Sequence, residues 1–309
     1  MFGSLSNKVK LFLEDPDYRI CKILIRYVKP DLIPDRMFLK YQFHYVFGYP
    51  LDLNNPRTYN EKLQWLKLYD HNPLYTTLVD KFAVKKWVAE KIGKEYVIPT
   101  IAVYETADQI DISKLPNRFV LKCTHDSGSF AICRDKESFD VESAKRMLDL
   151  GLKNDFYKKH REWPYKNVPR RIIAEQFLED NRSSELRDYK FFCMDGKCKS
   201  VLIVTNKTGS GKTFYDYFDS GFNHLDFTRG HPNSPYEVAK PELFDEMKVL
   251  SEKLSEGITN VRCDFYEANG RIYFGEMTFF PASGIIPFRP DKFDLEWGGW
   301  IKLPPKRHQ

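Results

Sequence analysis

The sequence predicts an α+β protein built from two or more lobes. Helical and strand-like segments alternate along the chain, and several pairs of strands are separated by turn sequences typical of antiparallel hairpins. Neither internal repeats nor low-complexity linkers interrupt this pattern. A chain of 309 residues with 42% hydrophobic and 15% aromatic content is long enough to bury a substantial core.

Composition limits the classes of partner. The chain has 48 basic and 43 acidic residues, so its net charge of +5 is modest and scattered. This favours anionic ligands such as nucleotides, phosphates or uronic acids over nucleic acid, which needs a concentrated basic face. Six cysteines without a C-x-x-C pair argue against zinc and against a disulfide framework. With no signal-peptide pattern and no apolar run of roughly 20 residues, a soluble cytoplasmic protein is expected.

Residues 1–72 are predicted to be helical, with segments near 5–13, 17–28, 35–46 and 59–69. Thr58 and Glu61 have the spacing of a capping box at the start of the last segment. The region is aromatic and basic, so it either covers a core or contacts a membrane surface, and packing is the favoured role.

After residue 73, helices and strands alternate. The predicted helices are 74–92, 140–153 and 241–256, and the predicted strands are 101–104, 118–123, 130–133, 171–177, 188–194 and 199–205. Asp195-Gly196, between the last two strands, is a strong hairpin signal.

Residues 261–281 are predicted to form a further hairpin, whose turn decides which side chains share a face. A two-residue turn at Asn269-Gly270 leaves Glu276 on the face opposite to Asp264, because side chains alternate along a strand. A three-residue loop that begins one residue earlier sets Arg262 opposite Glu276 instead. Four polar residues then lie on one face: Arg262, Asp264, Glu276 and Thr278. A site for Mg²⁺ and polyphosphate therefore requires the longer loop, and the alternative is an ordinary hairpin with a cross-strand arginine–glutamate pair.

Three other strand ends carry polar residues suited to a nucleotide. Lys122 ends an apolar strand and precedes Ser127-Gly128-Ser129, whose small residues let backbone N–H groups approach phosphates. Lys190 is a second cation on an apolar strand, and Glu175 ends a strand that runs into a polar loop. Each has a simpler interpretation: a solvated lysine, an edge-strand or snorkelling lysine, or a plain strand end.

The order of these features resembles the ATP-grasp superfamily, in which two α+β lobes hold ATP between them. More closely, the chain is similar to the TupA-like ATP-grasp family, named for a teichuronopeptide-biosynthesis protein. The similarity covers nearly all of residues 53–303. It rests on Asn55-Pro-Arg-Thr58, Glu61-Lys-Leu-Gln-Trp65, Asp80-Lys81-Phe, Phe119-Val-Leu-Lys122-Cys, Ile173-Ala-Glu175-Gln-Phe-Leu178, Arg187-Asp188-Tyr189-Lys190, Val261-Arg-Cys-Asp264-Phe-Tyr and Phe274-Gly-Glu276-Met-Thr278.

The resemblance implies a role for each of these polar residues. Arg262 faces the transferred phosphoryl group, and Asp264 and Glu276 bind Mg²⁺. Thr278 is a further candidate ligand, with a hydroxyl where the superfamily usually has an asparagine amide. The implied ATP-binding residues are Lys122, Ser127, Gly128, Ser129, Glu175, Gln176, Phe177, Leu178, Asp188 and Lys190. The implied division is a helical region at 1–72, an N-terminal lobe at 73–174 and a C-terminal lobe at 175–309.

The implied reaction is ATP-dependent ligation of a carboxylate to an amine through an acylphosphate. The resemblance points to an amino acid or other amine joined to a uronic acid of a capsule or wall polysaccharide. His125 and Arg289 are candidate contacts to the acceptor. Peripheral contact with a membrane, on its inner face, or with a lipid-linked glycan is a further expectation.

Two other functions remain open on the sequence. A nucleotide-sugar glycosyltransferase often uses an Asp-x-Asp motif, whereas two residues separate Asp108 from Asp111 and Asp216 from Asp219. A non-catalytic binding module is disfavoured by the retained lysines, arginine and carboxylates. Residues 209–213 echo a phosphate-binding loop, but Asn206 stands where that motif needs glycine and no helix follows. They are interpreted as a loop that closes over the site.

Overall fold

A computed structural model describes residues 32–182, 186–205 and 211–306. The helices predicted near 5–13 and 17–28, and residues 209 and 210 of the predicted closing loop, lie outside these residues. The helices are α1 (Asp35–Phe47), α2 (Tyr59–Tyr69), α3 (Leu74–Val79), α4 (Val84–Lys91), α5 (Val141–Lys153), α6 (Phe156–His160), α7 (Phe244–Leu254) and α8 (Lys292–Trp300). The strands are β1 (Thr100–Tyr104), β2 (Phe119–Cys123), β3 (Phe130–Cys133), β4 (Ile172–Gln176), β5 (Asp188–Met194), β6 (Lys197–Thr205), β7 (Phe214–Asp219), β8 (Asn260–Ala268) and β9 (Arg271–Thr278).

The described part of the N-terminal region is helical, as predicted, and α2 begins with the predicted capping box. The Glu61 backbone N–H donates to the Thr58 hydroxyl at 3.2 Å, and the Thr58 N–H donates to the Glu61 carboxylate at 2.9 Å. Helix α2 packs against α8, where Lys62 Nζ donates to the carbonyl oxygens of Gly298 and Ile301, both at 2.8 Å. The region therefore packs on the C-terminal part of the fold.

The single helix predicted over 74–92 is wrong, because the chain breaks between α3 and α4. Asp80 is 2% exposed, and its Oδ1 accepts hydrogen bonds from the backbone N–H groups of Phe82 and Ala83. Its Oδ2 accepts from Arg171 Nη2 at 2.6 Å. An aspartate that bonds nearby backbone groups in this way competes with continued helix. The break places Lys81 outside both helices.

The first sheet has the order β1-β4-β2-β3, and all its neighbours are antiparallel. One face, which includes Phe119, Leu121 and Ala174, packs with Leu148 of α5 in a buried cluster. The other face carries Lys122 and Glu175. On this face Ile173 is buried, Val120 is partly exposed, and Val103, Phe130 and Ile132 are exposed.

The second sheet has the order β7-β6-β5-β8-β9 and is antiparallel throughout. Helix α7 covers one face, where Cys193 Sγ donates to Ser251 Oγ at 3.5 Å. The sheets are formed by residues 100–176 and 188–278, and the lobe boundaries at 72/73 and 174/175 stay a prediction. Among the described residues, none of the helices combines the length and apolar character that crossing a membrane requires.

The β8–β9 hairpin has a two-residue turn, so the predicted three-residue loop is wrong. Ala268 pairs with Arg271, and Asn269 and Gly270 adopt left-handed φ values of 52° and 73°. The four polar residues nevertheless share a face, because a β-bulge shifts the register beyond Phe265. There Arg262 pairs with Thr278 and Asp264 with Glu276, not Arg262 with Glu276 as predicted.

Gly275 is the residue that makes this bulge sterically possible. A Cβ atom at this position would lie 3.1 Å from the Tyr266 ring and 3.2 Å from the Asp264 carbonyl oxygen, both unusually close. Bulges insert one extra residue and are a recognised means of re-aiming a side chain next to an active site. The bulge at Gly275 therefore turns Glu276 to the face of Asp264.

Candidate active site

A compact charged cluster lies on the face of the second sheet that is opposite to helix α7. Arg262 Nε and Nη2 donate to the two carboxylate oxygens of Asp264 at 2.6 and 2.7 Å. Lys190 Nζ, on the neighbouring strand, donates to the same carboxylate at 2.6 Å and lies 3.4 Å from Asp188. Asp264 is only 2% exposed in its side chain, so all its compensating charge comes from these neighbours.

Glu276 and Thr278 complete the cluster from β9. Arg262 Nη2 donates to Glu276 Oε1 and to the Thr278 hydroxyl, both at 3.1 Å. Burial by itself raises the pKa of Glu276, but the cations Lys81, Arg262 and Lys190 together hold that pKa below its usual value. Glu276 is therefore ionised at neutral pH, and its side chain is 37% exposed and accessible to a ligand.

The cluster fits a hard divalent cation. The carboxylates of Asp264 and Glu276 and the Thr278 hydroxyl converge on one face, and oxygen donors of this kind suit Mg²⁺. Within residues 32–182, 186–205 and 211–306, no group of three or more His, Cys, Asp or Glu is arranged to hold a metal. Mg²⁺ keeps several waters and takes ligands from phosphates, so two carboxylates match its ordinary requirement.

A second ionic group lies on the first sheet. Glu175 is 3% exposed, and its two oxygens contact the ammonium groups of Lys122 on β2 and Lys85 on α4, the latter at 2.5 Å. Burial raises the pKa of Glu175, but Lys122 and Lys85 outweigh it and lower that pKa. Sequence reasoning missed Lys85. Its contact with Glu175 joins residues 90 positions apart in the chain, so no local pattern signalled it.

The loop after Lys122 is anchored at both ends and exposed in the middle. Lys81 Nζ donates to the Asp126 carbonyl oxygen, and Ser129 Oγ donates to the Asp126 carboxylate at 2.5 Å. Ser127 and Gly128 are exposed, and Gly128 has a φ of 104°, which favours glycine. The loop therefore presents its backbone to the same space as Lys122, and Lys81 is a second residue that sequence reasoning missed.

His125 is placed differently from the sequence expectation. Its side chain is 2% exposed, and its Nε2 lies 3.3 Å from the Asn154 carbonyl oxygen beyond the end of α5. Burial lowers the pKa of His125, so the ring is neutral at pH 7. The role of His125 as a contact to the acceptor stays a prediction.

The predicted hinge, Glu175 to Leu178, leads from the first sheet to the second. Phe177 lies between the guanidinium groups of Arg118 and Arg134, at 5.4 and 5.2 Å from its ring centre. Beyond Leu178, the chain is bonded to the β8–β9 turn. There Asn269 Nδ2 donates to the Glu179 carbonyl oxygen at 2.8 Å, and the Asn269 N–H donates to the Asp180 carboxylate at 3.0 Å. The hinge thus holds the two sheets in a defined relation.

Tyr266 of β8 lies within electrostatic range of carboxylates on both sheets. Burial raises the pKa of the Tyr266 hydroxyl, and carboxylates from both sheets raise it further, Asp188 and Glu276 on the second and Glu175 on the first. The structure thus groups the predicted site residues by sheet, with Lys122 and Glu175 on the first and Asp188, Lys190, Arg262, Asp264, Glu276 and Thr278 on the second.

Arg289 lies apart from this cluster. It is exposed, and together with Thr228 and His231 it lines a cavity of about 390 Å³ beside residues 286–289. The His231 ring packs against Tyr215, with ring centres 4.3 Å apart and the planes tilted by 38°. Tyr215 pairs with Val204, which pairs with Asp188, so this cavity opens on the face that carries the charged cluster.

Comparison with known proteins identifies a family that the chain matches. The family described as TupA-like ATPgrasp matches residues 61–302. No curated protein sequence matches significantly. The expected family and fold are thereby confirmed, and the match supports the expectation of an ATP-dependent ligase.

Several solved structures are similar in fold. D-alanine–D-alanine ligase from Helicobacter pylori is 13% identical over 79% of this chain and 69% of its own, with a TM-score of 0.45. A RimK domain ATP-grasp protein from Sphaerobacter thermophilus is 13% identical over 75% and 70%, with a TM-score of 0.42. D-alanine–D-alanine ligase from Bacillus anthracis, complexed with ATP, is 12% identical over 66% of this chain, with a TM-score of 0.39, and this chain spans little more than half of it (54%). At these identities the similarities concern the fold alone. Because the family match covers well over half of this chain, the chain belongs to the TupA-like ATP-grasp family.

Proposed function

We propose that the protein is an ATP-dependent ligase that joins a carboxylate to an amine. The observation that carries the proposal is a pair of ionic groups, one on each sheet: Lys85 and Lys122 contact Glu175 on the first, and Lys190 and Arg262 contact Asp264 and Glu276 on the second. In the proposed reaction, the γ-phosphoryl group of ATP passes to the substrate carboxylate, and an amine then displaces phosphate from the acylphosphate. Such a reaction needs positioned positive charge more than a side-chain nucleophile.

The residues have distinct parts in this proposal. Asp264 and Glu276 hold Mg²⁺, with Thr278 at hydrogen-bond distance from Glu276 as a further oxygen. The ion supplies charge neutralisation at the phosphates. Arg262, which reaches both carboxylates from one guanidinium, is placed to face the transferred group.

Other residues hold the nucleotide. Lys122 and Lys190 contact the phosphates from opposite sheets, and the exposed backbone of Ser127-Gly128-Ser129 covers them. The hinge from Glu175 to Leu178 contacts the adenine, whose ring packs on the apolar face near Val120. Asp188 is available for a polar contact with the nucleotide.

Binding of ATP requires an exchange of partners. Glu175 forms ion pairs with both Lys85 and Lys122, and Asp264 forms ion pairs with Lys190 and Arg262. These pairs keep the buried charges compensated while the nucleotide is absent, since an uncompensated buried charge is costly. When ATP binds, its phosphate oxygens would replace these carboxylates as the partners of the lysines. The Glu175 side chain would then turn toward the hinge, residues 175–178.

For the substrates, we propose an amino acid or similar amine and a uronic acid of a surface polysaccharide. The family resemblance and the mild positive charge of the chain support this choice. Arg289 beside the 390 Å³ cavity is a suitable partner for the acid. An enzyme of this kind would work in the cytoplasm, in contact with the inner face of the membrane where a lipid-linked glycan is presented.

The first test is thermal unfolding with Mg²⁺-ATP and, separately, with Mg²⁺ and a panel of UDP-sugars. A ligand at 100 times its Kd stabilises a protein by about 2.7 kcal/mol, which gives a clear shift. We expect the ATP shift in the wild type and its loss in Lys85→Ala and Lys122→Ala. Lys86→Ala is the matched control, because the Lys86 side chain lies on the same helix and is 86% exposed.

A shift with UDP-sugars and none with ATP would instead favour a glycosyltransferase and refute the ligase. If the ATP shift is observed, ADP release is measured with pairs of acids and amines. The acids are glucuronate, galacturonate and UDP-glucuronate, and the amines are common amino acids and hydroxylamine.

A further inference from the structure

A strained turn follows the metal-binding strand directly. Ala282, Ser283 and Gly284 have φ values of 52°, 55° and 60°, so three successive residues are left-handed. For residues other than glycine this conformation costs free energy, and it persists only where the surrounding structure enforces it. Strain of this kind clusters at functional sites.

Two side chains of helix α2 hold the turn in this conformation by hydrogen bonds. Lys67 Nζ donates to the Ser283 carbonyl oxygen at 2.9 Å and to the Ser283 hydroxyl at 3.0 Å. Gln64 Nε2 donates to the carbonyl oxygens of Ser283 and Gly284 at 3.1 and 2.8 Å. Lys67 is 2% exposed, and burial lowers its pKa to about 8. The Lys67 ammonium group therefore stabilises the conformation of this turn.

This turn also holds the carboxylate of Glu162 in place. Ser283 Oγ donates to Glu162 Oε1 at 2.6 Å, and Glu162 is 5% exposed. Among the described residues, no ion pair joins Glu162 to a cation, because Lys67 contacts the serine between them. The charged and titratable groups around Glu162 are Lys67 of α2, Tyr165 of its own segment, Arg262 of β8 and Glu276 of β9. Glu162 is therefore held by the turn that follows β9, the strand that carries Glu276 and Thr278, and the proposed function gives it no part in binding the metal or the phosphates.

We propose that Glu162 is the group that receives the proton of the amine substrate, and that the Ser283 turn places the amine against it. The proposal rests on the ligase function above. The Glu162 carboxylate takes a proton from the ammonium form of the amine, and the freed nitrogen lone pair attacks the acyl carbon. The bond from that carbon to the phosphate oxygen breaks, phosphate leaves with the electron pair and takes up the second proton of the attacking nitrogen, and the amide forms. Burial raises the pKa of Glu162, which suits a base that works near neutral pH.

The test compares two nucleophiles in the same enzyme. Hydroxylamine is already unprotonated at neutral pH and needs no base, whereas an amino acid arrives as an ammonium ion. With galacturonate or whichever acid of the panel releases ADP, amide formation and hydroxamate formation are measured for the wild type and Glu162→Gln. We expect Glu162→Gln to lose about 10²-fold in the amino-acid reaction, a typical contribution of general-base catalysis, and to keep hydroxamate formation within about twofold. Its amide rate should rise with pH as the free amine becomes available in solution.

The controls separate this role from folding. Asp294→Asn removes another buried carboxylate, also 5% exposed and bonded to Asn60 of α2, and should leave the ratio of the two rates unchanged. Glu162→Asp should recover part of the amino-acid rate. Equal losses with both nucleophiles, or no loss with the amino acid, would overturn the role of Glu162. A wild type that is inactive with every acid and with hydroxylamine would refute the ligase function itself.

Discussion

Replacing Arg262 with alanine removes the cation on which the charged cluster depends. In the folded protein this guanidinium makes two hydrogen bonds to Asp264, at 2.6 and 2.7 Å, and one to Glu276 at 3.1 Å. Asp264 is 2% exposed, so it cannot turn to water instead. Removing one partner of a buried ion pair typically costs 3–5 kcal/mol. Because Lys190 still contacts Asp264, we expect a loss of about 3 kcal/mol in the free energy of unfolding.

The measurement is urea unfolding in low salt, since guanidinium chloride would screen the charges under study. Arg118→Ala is the control, because it removes an arginine bonded to Glu179 at 2.6 Å where both side chains are about half exposed. An exposed pair of this kind is worth at most about 1 kcal/mol. Mg²⁺ should restore more stability to Arg262→Ala than it adds to the wild type, because the ion replaces the missing positive charge.

The effect of Arg262→Ala also has a defined pH dependence. The pKa of Glu276 is lowered in the folded protein, so its ionisation contributes stability above the unfolded pKa, and this is lost as pH falls through the folded pKa. Arg262 is one of the cations that lower it, so the variant has a higher Glu276 pKa and gains less from ionisation. The difference in stability between the two proteins should shrink as pH falls from 7 to below 4.5. A loss no larger than that of Arg118→Ala, or a difference that does not shrink in acid, would refute this account of the cluster.

Three further changes probe the geometry of the site. Gly275→Val forces a side chain against the paired strand, so we expect a protein that still folds, by circular dichroism, but loses Mg²⁺-ATP stabilisation because Glu276 is turned away. Retained stabilisation would show that the bulge is not needed. Thr278→Asn supplies an amide carbonyl, so the Mg²⁺ concentration for half-maximal ATP stabilisation should fall, and an unchanged or higher value would exclude position 278 as a ligand. Glu175→Gln weakens the ion pair with Lys122 that ATP must displace, so the ATP affinity measured by calorimetry should rise or stay the same. The free energy of unfolding without ATP should fall, most clearly above pH 4.5. An unchanged free energy of unfolding would contradict the ion-pair assignment.

The sequence was sufficient for those parts of the site that depend on local order. The capping box at Thr58, the Asp195-Gly196 turn and the apolar strands that end in Lys122 and Glu175 follow from neighbouring residues, and the structure contains each of them. The residue types along β8 and β9 similarly indicated a phosphate and metal site. The break at Asp80 was missed although its bonds to the N–H groups of Phe82 and Ala83 are local, because the side chain is also held by Arg171, which lies 91 residues away.

What the tertiary structure decided is which of these residues face one another. By itself, the sequence determined the order of strands and turns and the presence of two carboxylates, an arginine and two lysines in the pattern of this family. It did not determine the bulge at Gly275, because the register there is set by the fit of a glycine against Tyr266 and the facing strand. Nor did it bring Lys67 to Ser283, which are 216 residues apart in the chain. Contacts across such separations arise only when the lobes and helices have packed, and hydrogen-bond geometry is fixed at that stage.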